Sequence, residues 1–167
     1  PDDLVYDDVS HSGRVASLMQ LPVQGRRPQA EAGQLIYLAG GDPSIIEEIK
    51  PLLAVTSGKI HYIGDLGTAT AMKLAVNTMY GVQVAIWAEM LALLDRQEIE
   101  PESAVEILNT LPTTSPSMQM AGKLMAAKKY DPMFPIELVE KDLGYALKLA
   151  EDLKTKAPIT EAVKSVY

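Results

Sequence analysis

The chain has 167 residues, of which 47% are hydrophobic and 22% charged, and its formal net charge is -7. This length can bury the core of one ordinary domain, and the composition excludes wholesale disorder. The acidic balance argues against a nucleic-acid partner, and the absence of cysteine excludes disulfides and thiolate metal sites, which fits the reducing cytoplasm.

The first 63 residues have the pattern of short strands around one helix. The run at 34–39 predicts a strand, because it is apolar and rich in residues that favour strands. Asp42 followed by Pro43 predicts a helix start, since an Asp side chain can accept from the first N–H groups of a helix. A further strand is predicted at 59–63. Two or three strands with one helix do not form a stable sheet alone, so we expect an incomplete domain.

From residue 64 onward the apolar residues recur with helical spacing. Residues 69–96 predict one long helix, which carries apolar residues on more than one side. We therefore expect it to cross a domain or a subunit interface, and we expect a homo-oligomer, either a dimer or a tetramer. Shorter helices are predicted at 101–108, at 117–128, at 136–154 and in a last segment with Thr160 as its N-cap. No apolar run is long enough to span a membrane.

The expected fold is therefore mainly α. A truncated α/β remnant, residues 1–63, precedes an all-helical domain, residues 64–167, built around the long helix. Before the first predicted strand, the segment from Gln24 to Pro28 is polar and contains turn residues. We interpret it as a loop.

Three spaced motifs point to one family. The first combines Pro-Val-Gln-Gly at 22–25 with Ala-Glu-Ala-Gly-Gln-Leu at 30–35 and Gly-Gly-Asp at 40–42. The second is Gly-Asp-Leu-Gly-Thr-Ala-Thr-Ala-Met-Lys-Leu-Ala-Val-Asn at 64–77, and the third is Glu-Lys-Asp-Leu-Gly-Tyr-Ala-Leu at 140–147. In this order and spacing they resemble the β-hydroxyacid dehydrogenases, the family of 3-hydroxyisobutyrate and tartronate semialdehyde dehydrogenases. The resemblance covers nearly the whole chain.

In that family a Rossmann domain precedes a helical domain that is entered by one long helix. The resemblance implies NAD or NADP as the cofactor, a small β-hydroxyacid or its semialdehyde as the substrate, and hydride transfer between them. None of the 11 glycines forms a G-x-G, so the phosphate-binding fingerprint of a Rossmann domain is missing. We therefore expect the C-terminal portion of a dehydrogenase, inactive by itself. The alternative is a non-catalytic dimerisation or scaffold module derived from the same fold.

Candidate catalytic residues lie at the start of the long helix. Lys73 and Asn77 are four residues apart and hence on one helix face. A lysine can protonate a developing alkoxide, or accept a hydroxyl proton, if a dry pocket lowers its pKa toward the working pH. The resemblance implies that Lys73 is the catalytic residue and that Asn77 assists it, whereas spacing alone favours an ordinary solvated lysine at a helix start. It also places Lys141 against the cofactor, with Asp142 as its positioning neighbour.

Two glycine-containing turns complete the candidate site. Gly67, in the Gly64-x-x-Gly67 turn before the long helix, can let substrate and cofactor approach the Lys73 turn closely and so bind the cofactor. The same turn can also be an ordinary connection from loop to helix. Gln24, Gly25 and Arg26 stand where the family has Ser-Gly-Gly, a loop that grips the substrate carboxylate. Gln24 can donate a hydrogen bond and Arg26 can pair with a carboxylate. The larger side chains can equally fill the pocket, and the arginine can equally be surface charge.

Overall fold

The computed structural model describes residues 19–25, 27–130 and 134–167, apart from the side chain of Arg27. The chain divides into two compact units, Pro1–Lys73 and Leu74–Tyr167. The division falls inside the longest helix. Most of the described residues are helical, as predicted, and a small sheet lies in the first unit.

Four short strands form the sheet, namely β1 (Met19–Gln20), β2 (Val23–Gln24), β3 (Leu35–Gly41) and β4 (Ser57–Gly64). β1 and β2 pair antiparallel with β3 in one continuous register. They behave as a single strand interrupted at Pro22, which has no N–H to donate. The carbonyl of Pro22 still accepts from the N–H of Leu38 at 2.9 Å. β4 runs parallel to β3, which confirms the two strands predicted from sequence.

The helix between the parallel strands begins where the sequence predicted. In α2 (Pro43–Leu53) the N-cap is Asp42, whose carboxylate accepts from the backbone N–H of Ser44 at 2.8 Å and from its hydroxyl at 2.6 Å. These hydrogen bonds hold the pKa of Asp42 below its usual 3.8. Ile46 of this helix is buried, as are Leu38 and Ala39 of β3. The unit β3–α2–β4 is therefore a parallel crossover with its own apolar core.

The interpretation of the segment before β3 as a loop is wrong in part. A helix, α1 (Arg27–Glu31), lies there. Its second residue is Pro28, and a proline is tolerated in the first turn of a helix because the N–H that it lacks has no partner there.

Every regular element in the described part of the chain after Gly64 is a helix: α3 (Thr68–Arg96), α4 (Pro101–Asn109), α5 (Pro116–Ala126), α6 (Ile136–Asp152) and α7 (Pro158–Lys164). These bounds agree closely with the predicted helices. The prediction of Thr160 as an N-cap is wrong, because Ala157 is the N-cap and Thr160 is buried within the helix. Pro158 starts the helix earlier, as proline favours the first helical position.

One apolar cluster of the second unit lies between α3, α4 and α5. Its buried members are Leu91, Ala104, Val105 and Ala126, with Trp87, Leu94, Leu108 and Met125 packed against them. Gly122 of α5 permits this packing, since a Cβ there would lie 2.2 Å from the ring of Trp87. No helix in the described ranges has both the length and the apolar character to cross a membrane.

Candidate functional site

The start of α3 is fixed against the sheet by small residues. Ala69 is fully buried, and a Cβ added to Gly40 of β3 would lie 3.0 Å from the Cβ of Ala69. Larger side chains at either position would push the helix away from the strand. This close packing sets the position of Lys73, which stands one turn further along α3.

The side chain of Lys73 reaches back to β2. Its ammonium donates a hydrogen bond to the carbonyl oxygen of Val23, with 2.8 Å between Nζ and O. Gln24 follows directly in the same strand. The structure thus brings the predicted catalytic lysine beside the predicted substrate-binding loop, although the two are 50 residues apart in sequence.

Gln24 and Gly25 differ in what they offer to a ligand. The Nε2 atom of Gln24 is shielded from solvent and makes no hydrogen bond to any described residue, although buried donors usually have a partner. Gly25 has a φ of 141°, and a Cβ there would lie 2.7 Å from a methyl carbon of Leu35. The turn after β2 therefore requires glycine. Arg26, the third predicted residue of this loop, lies outside the described residues.

Gly67, the predicted cofactor-binding glycine, uses its N–H within the chain. That N–H donates to the Oε1 atom of Gln20 at 2.8 Å. The residue has a φ of 99°, and a Cβ added there would meet no atom within 4 Å. Gly67 thus offers an open approach to the backbone before α3 rather than a free donor, which fits a cofactor passing close to this turn.

Asn77 joins a polar network in the second unit. Its Nδ2 donates to Oδ2 of Asp142 at 2.6 Å, and Oδ1 of Asp142 lies 3.4 Å from Nζ of Lys141. Lys141 also stands over the ring of Tyr145, 5.7 Å from its centroid, a distance at which the ring face attracts a cation. Asn77 and Lys141, predicted separately, are therefore connected through one carboxylate.

Two contacts in this region could not be predicted from residue types. The first is the anchoring of Lys73 on the carbonyl of Val23, because every residue has a backbone carbonyl. The second is the bond from Gly67 to Gln20, which joins positions 47 residues apart. Asp142 itself was predicted, as the residue next to Lys141 in α6. Its hydrogen bond to Asn77 was not predicted.

Two family models match the chain. Residues 67–167 match the model described as NAD-binding of NADP-dependent 3-hydroxyisobutyrate dehydrogenase. Residues 6–64 match the NAD binding domain of 6-phosphogluconate dehydrogenase. Both descriptions name NAD binding, which confirms the predicted cofactor class, NAD or NADP.

Two curated relatives are similar over almost the whole chain. The chloroplastic glyoxylate/succinic semialdehyde reductase 2 of Arabidopsis thaliana is 33% identical over 98% of the chain, which covers 45% of that protein. The cytokine-like nuclear factor N-PAC of Aedes aegypti is also 33% identical, over 99% of the chain and 29% of that protein. The chain thus spans less than half the length of either relative.

A solved structure has the same fold. The crystal structure of 3-hydroxyisobutyrate dehydrogenase from Salmonella typhimurium superposes with a TM-score of 0.81 at 22% sequence identity. The match covers 89% of this chain and 53% of that one. At this identity the comparison establishes the arrangement of the elements.

Proposed function

Because this chain belongs to the 3-hydroxyisobutyrate dehydrogenase family, we propose that it carries the proton-transfer residues of an NAD(P)-dependent oxidoreductase for a small β-hydroxyacid or its semialdehyde. One observation carries this proposal. The ammonium of Lys73 is held at the carbonyl of Val23, beside the unsatisfied amide of Gln24. A proton donor thus lies at the strand that also carries a neutral hydrogen-bond donor, and the reduction of a carbonyl group on a small acid can use one of each.

In this proposal Lys73 moves the proton. The cofactor, when bound, supplies or accepts the hydride. An ammonium has three N–H groups, and directing one of them to Val23 fixes the direction of the group. From there Lys73 protonates the alkoxide oxygen that develops during reduction, and in the oxidation direction its neutral amine takes the hydroxyl proton. The amide of Gln24 binds an oxygen of the substrate.

Asn77 and Lys141 have supporting roles in the proposal. Asn77 stands one turn beyond Lys73 on the same face of α3 and binds the substrate or steadies the lysine. Lys141 is exposed on α6 and binds the cofactor toward its nicotinamide end. Gly25 lets the substrate approach β2, and Gly67 does the same for the cofactor at the start of α3.

We assign residues 1–63 to the end of an NAD(P)-binding Rossmann domain and 64–167 to a helical substrate and dimerisation domain. The change from one family model to the other between residues 64 and 67 supports this boundary. The cytoplasm remains the predicted compartment, on the grounds of the cysteine-free composition.

A second copy of this chain is the partner that we propose for α3. Six of its apolar residues are exposed and recur every three, four or seven positions, namely Met72, Val76, Met79, Ile86, Met90 and Leu93. This spacing puts them on one stripe along the helix, as in helices that pair with another helix. The oligomer, a dimer or a tetramer, can be identified by light scattering after size-exclusion chromatography.

The test of the enzyme hypothesis is an assay of the complete protein. Glyoxylate, succinic semialdehyde and a series of β-hydroxyacids are each supplied with NADH, NADPH or the oxidised cofactors, and the nicotinamide absorbance is followed. We expect turnover with at least one small acid, and loss of turnover in Lys73→Ala. Absence of turnover across the series, with cofactor binding intact by calorimetry, would contradict the proposal.

The second hypothesis is a non-catalytic dimerisation or scaffold module. It is favoured by the relative named cytokine-like nuclear factor N-PAC, which is as similar to this chain as the reductase is. A scaffold would form the oligomer but show no turnover. In that case Lys73→Ala would leave oligomer formation unchanged, and there would be no turnover for it to lower.

A further inference from the structure

The amide of Asn77 is held in one orientation by Asp142. The side chain of Asp142 is only 14% exposed, and its Oδ2 accepts from Nδ2 of Asn77 at 2.6 Å. An asparagine amide can present either its NH2 group or its oxygen to a partner, whereas an ionised carboxylate only accepts. Rotating the amide by half a turn would place two oxygen atoms against each other, so the NH2 group must face Asp142.

The carboxylate itself is fixed from its other side. Its Oδ1 lies 3.4 Å from the ammonium of Lys141, which the ring of Tyr145 also attracts. Each oxygen of Asp142 thus has its own partner. Burial and the second partner restrain the carboxylate of Asp142, so it does not readily turn to follow the amide, and we expect Asp142 to set the orientation of Asn77.

We infer that Asp142 is a positioning residue, which makes Asn77 present its amide oxygen, a hydrogen-bond acceptor, to the molecule that binds beside it. An acceptor at this point selects a group that carries hydrogen, such as the hydroxyl of a hydroxyacid, over a bare carbonyl oxygen. The inference rests on the proposed function, since it specifies how one residue of that site meets the substrate.

Two variants of Asp142 separate positioning from simple packing. In Asp142→Asn the new amide can pair with Asn77 in either orientation, so about half of the molecules present the wrong group, and we expect kcat to fall about twofold. In Asp142→Ala nothing holds the amide, and a misplaced group of this kind lowers kcat by up to about 10²-fold.

Because Lys141 also contacts Asp142, kcat is measured at saturating cofactor. Positioning predicts a larger change in kcat than in the KM of the hydroxyacid.

Asp152→Asn is the matched control. Asp152 is exposed and ends the same helix, about 15 Å beyond Asp142 at the helical rise of 1.5 Å per residue. The chemical change is the same, so kcat should stay at the wild-type value. Asp142→Asn has nearly the shape of the original side chain, which keeps the test decisive if Asp142→Ala fails to fold.

The second measurement is independent of turnover. With asparagine-selective 15N labelling of the complete protein, the side-chain NH2 signals of Asn77 are identified as those absent from Asn77→Ser. This chain contributes one other asparagine, Asn109. We expect the NH2 hydrogens of Asn77 to exchange slowly with water in the wild type and faster in both Asp142 variants, while those of Asn109 do not change.

The outcomes distinguish this inference from the proposed function. If the wild type shows no turnover, the proposed function fails, and the NMR result alone decides whether Asp142 orients Asn77. If the wild type is active, the inference requires both a lower kcat and faster exchange in the Asp142 variants. A wild-type kcat in Asp142→Ala, or unchanged exchange at Asn77, would each overturn it.

Discussion

Replacing Lys73 by alanine tests the central assignment most directly. The change removes the ammonium that donates to Val23. If Lys73 is the general acid and base, kcat should fall by about 10²–10⁴, which is the usual contribution of a positioned proton carrier. At about 1.36 kcal/mol for each factor of ten, this is about 2.7–5.4 kcal/mol of transition-state stabilisation.

The effect on folding should be much smaller. A hydrogen bond of this type contributes about 0.5–1.5 kcal/mol to stability, and Val23 is an exposed residue, so we expect its carbonyl to regain water when the lysine is gone. For a chain of this size the melting temperature then falls by a few degrees, at about 2–4 °C per kcal/mol. A large loss of kcat with a small loss of stability therefore indicates chemistry rather than misfolding.

The assay is steady-state kinetics on the complete protein with cofactor titration. Lys141→Ala is the contrasting variant, since it should raise the KM for the cofactor more than it lowers kcat at saturation. Lys148→Ala, another exposed lysine of α6, is the control and should leave both constants unchanged. A wild-type kcat in Lys73→Ala, over a range of small hydroxyacids, would refute the catalytic assignment.

Three further predictions concern the fold and its assembly. Gly122→Ala places a Cβ 2.2 Å from the ring of Trp87, so overpacking should lower the free energy of unfolding by about 1–3 kcal/mol, as chemical denaturation would show. Met79→Lys changes a side chain that is 65% exposed in the single chain; light scattering should show loss of the oligomer, while the far-ultraviolet dichroism stays the same. The phenol of Tyr167 donates to the carbonyl of Gly81 at 2.9 Å, and its pKa is raised above 10.0 by burial and by a neighbouring tyrosine. The folded state therefore favours the neutral phenol of Tyr167, and the stability that this adds is complete below pH 10 and lost as the pH rises through the folded-state pKa. In Tyr167→Phe the melting temperature should therefore depend less on pH in the alkaline range.

Much of the fold could be predicted because its signals are local. The long helix has an uninterrupted apolar pattern, and α3 (Thr68–Arg96) differs from the prediction by one residue at its start. Asp42 was identified as an N-cap because capping needs only a short polar side chain beside the first turn. Thr160 has the same type of side chain, but Pro158 determines where α7 begins. The local sequence pattern was therefore enough to locate the helices. The exact end of a helix was harder to predict where two nearby residues, such as Pro158 and Thr160, could each mark its start.

The pairing of β1 and β2 with β3 could not be predicted in the same way. Strands of two residues carry too little pattern to be recognised, and they form here because β3 supplies a template in one register. The contact from Lys73 to Val23 depends on that template, since it is the antiparallel pairing that brings Val23 to the sheet. Residue types identified the lysine, but only the tertiary fold determines what it contacts.

The energetics of that contact also bear on the choice between an enzyme and a scaffold. The net contribution of the hydrogen bond from Lys73 to Val23, about 0.5–1.5 kcal/mol, is small beside the roughly 5–15 kcal/mol that stabilises a native protein. A scaffold would therefore need this bond little. The apolar stripe of α3 would suffice for dimerisation without any ammonium near β2. A lysine held at the strand that also carries the amide donor of Gln24 suits the binding and protonation of a substrate oxygen, and this supports the enzyme hypothesis.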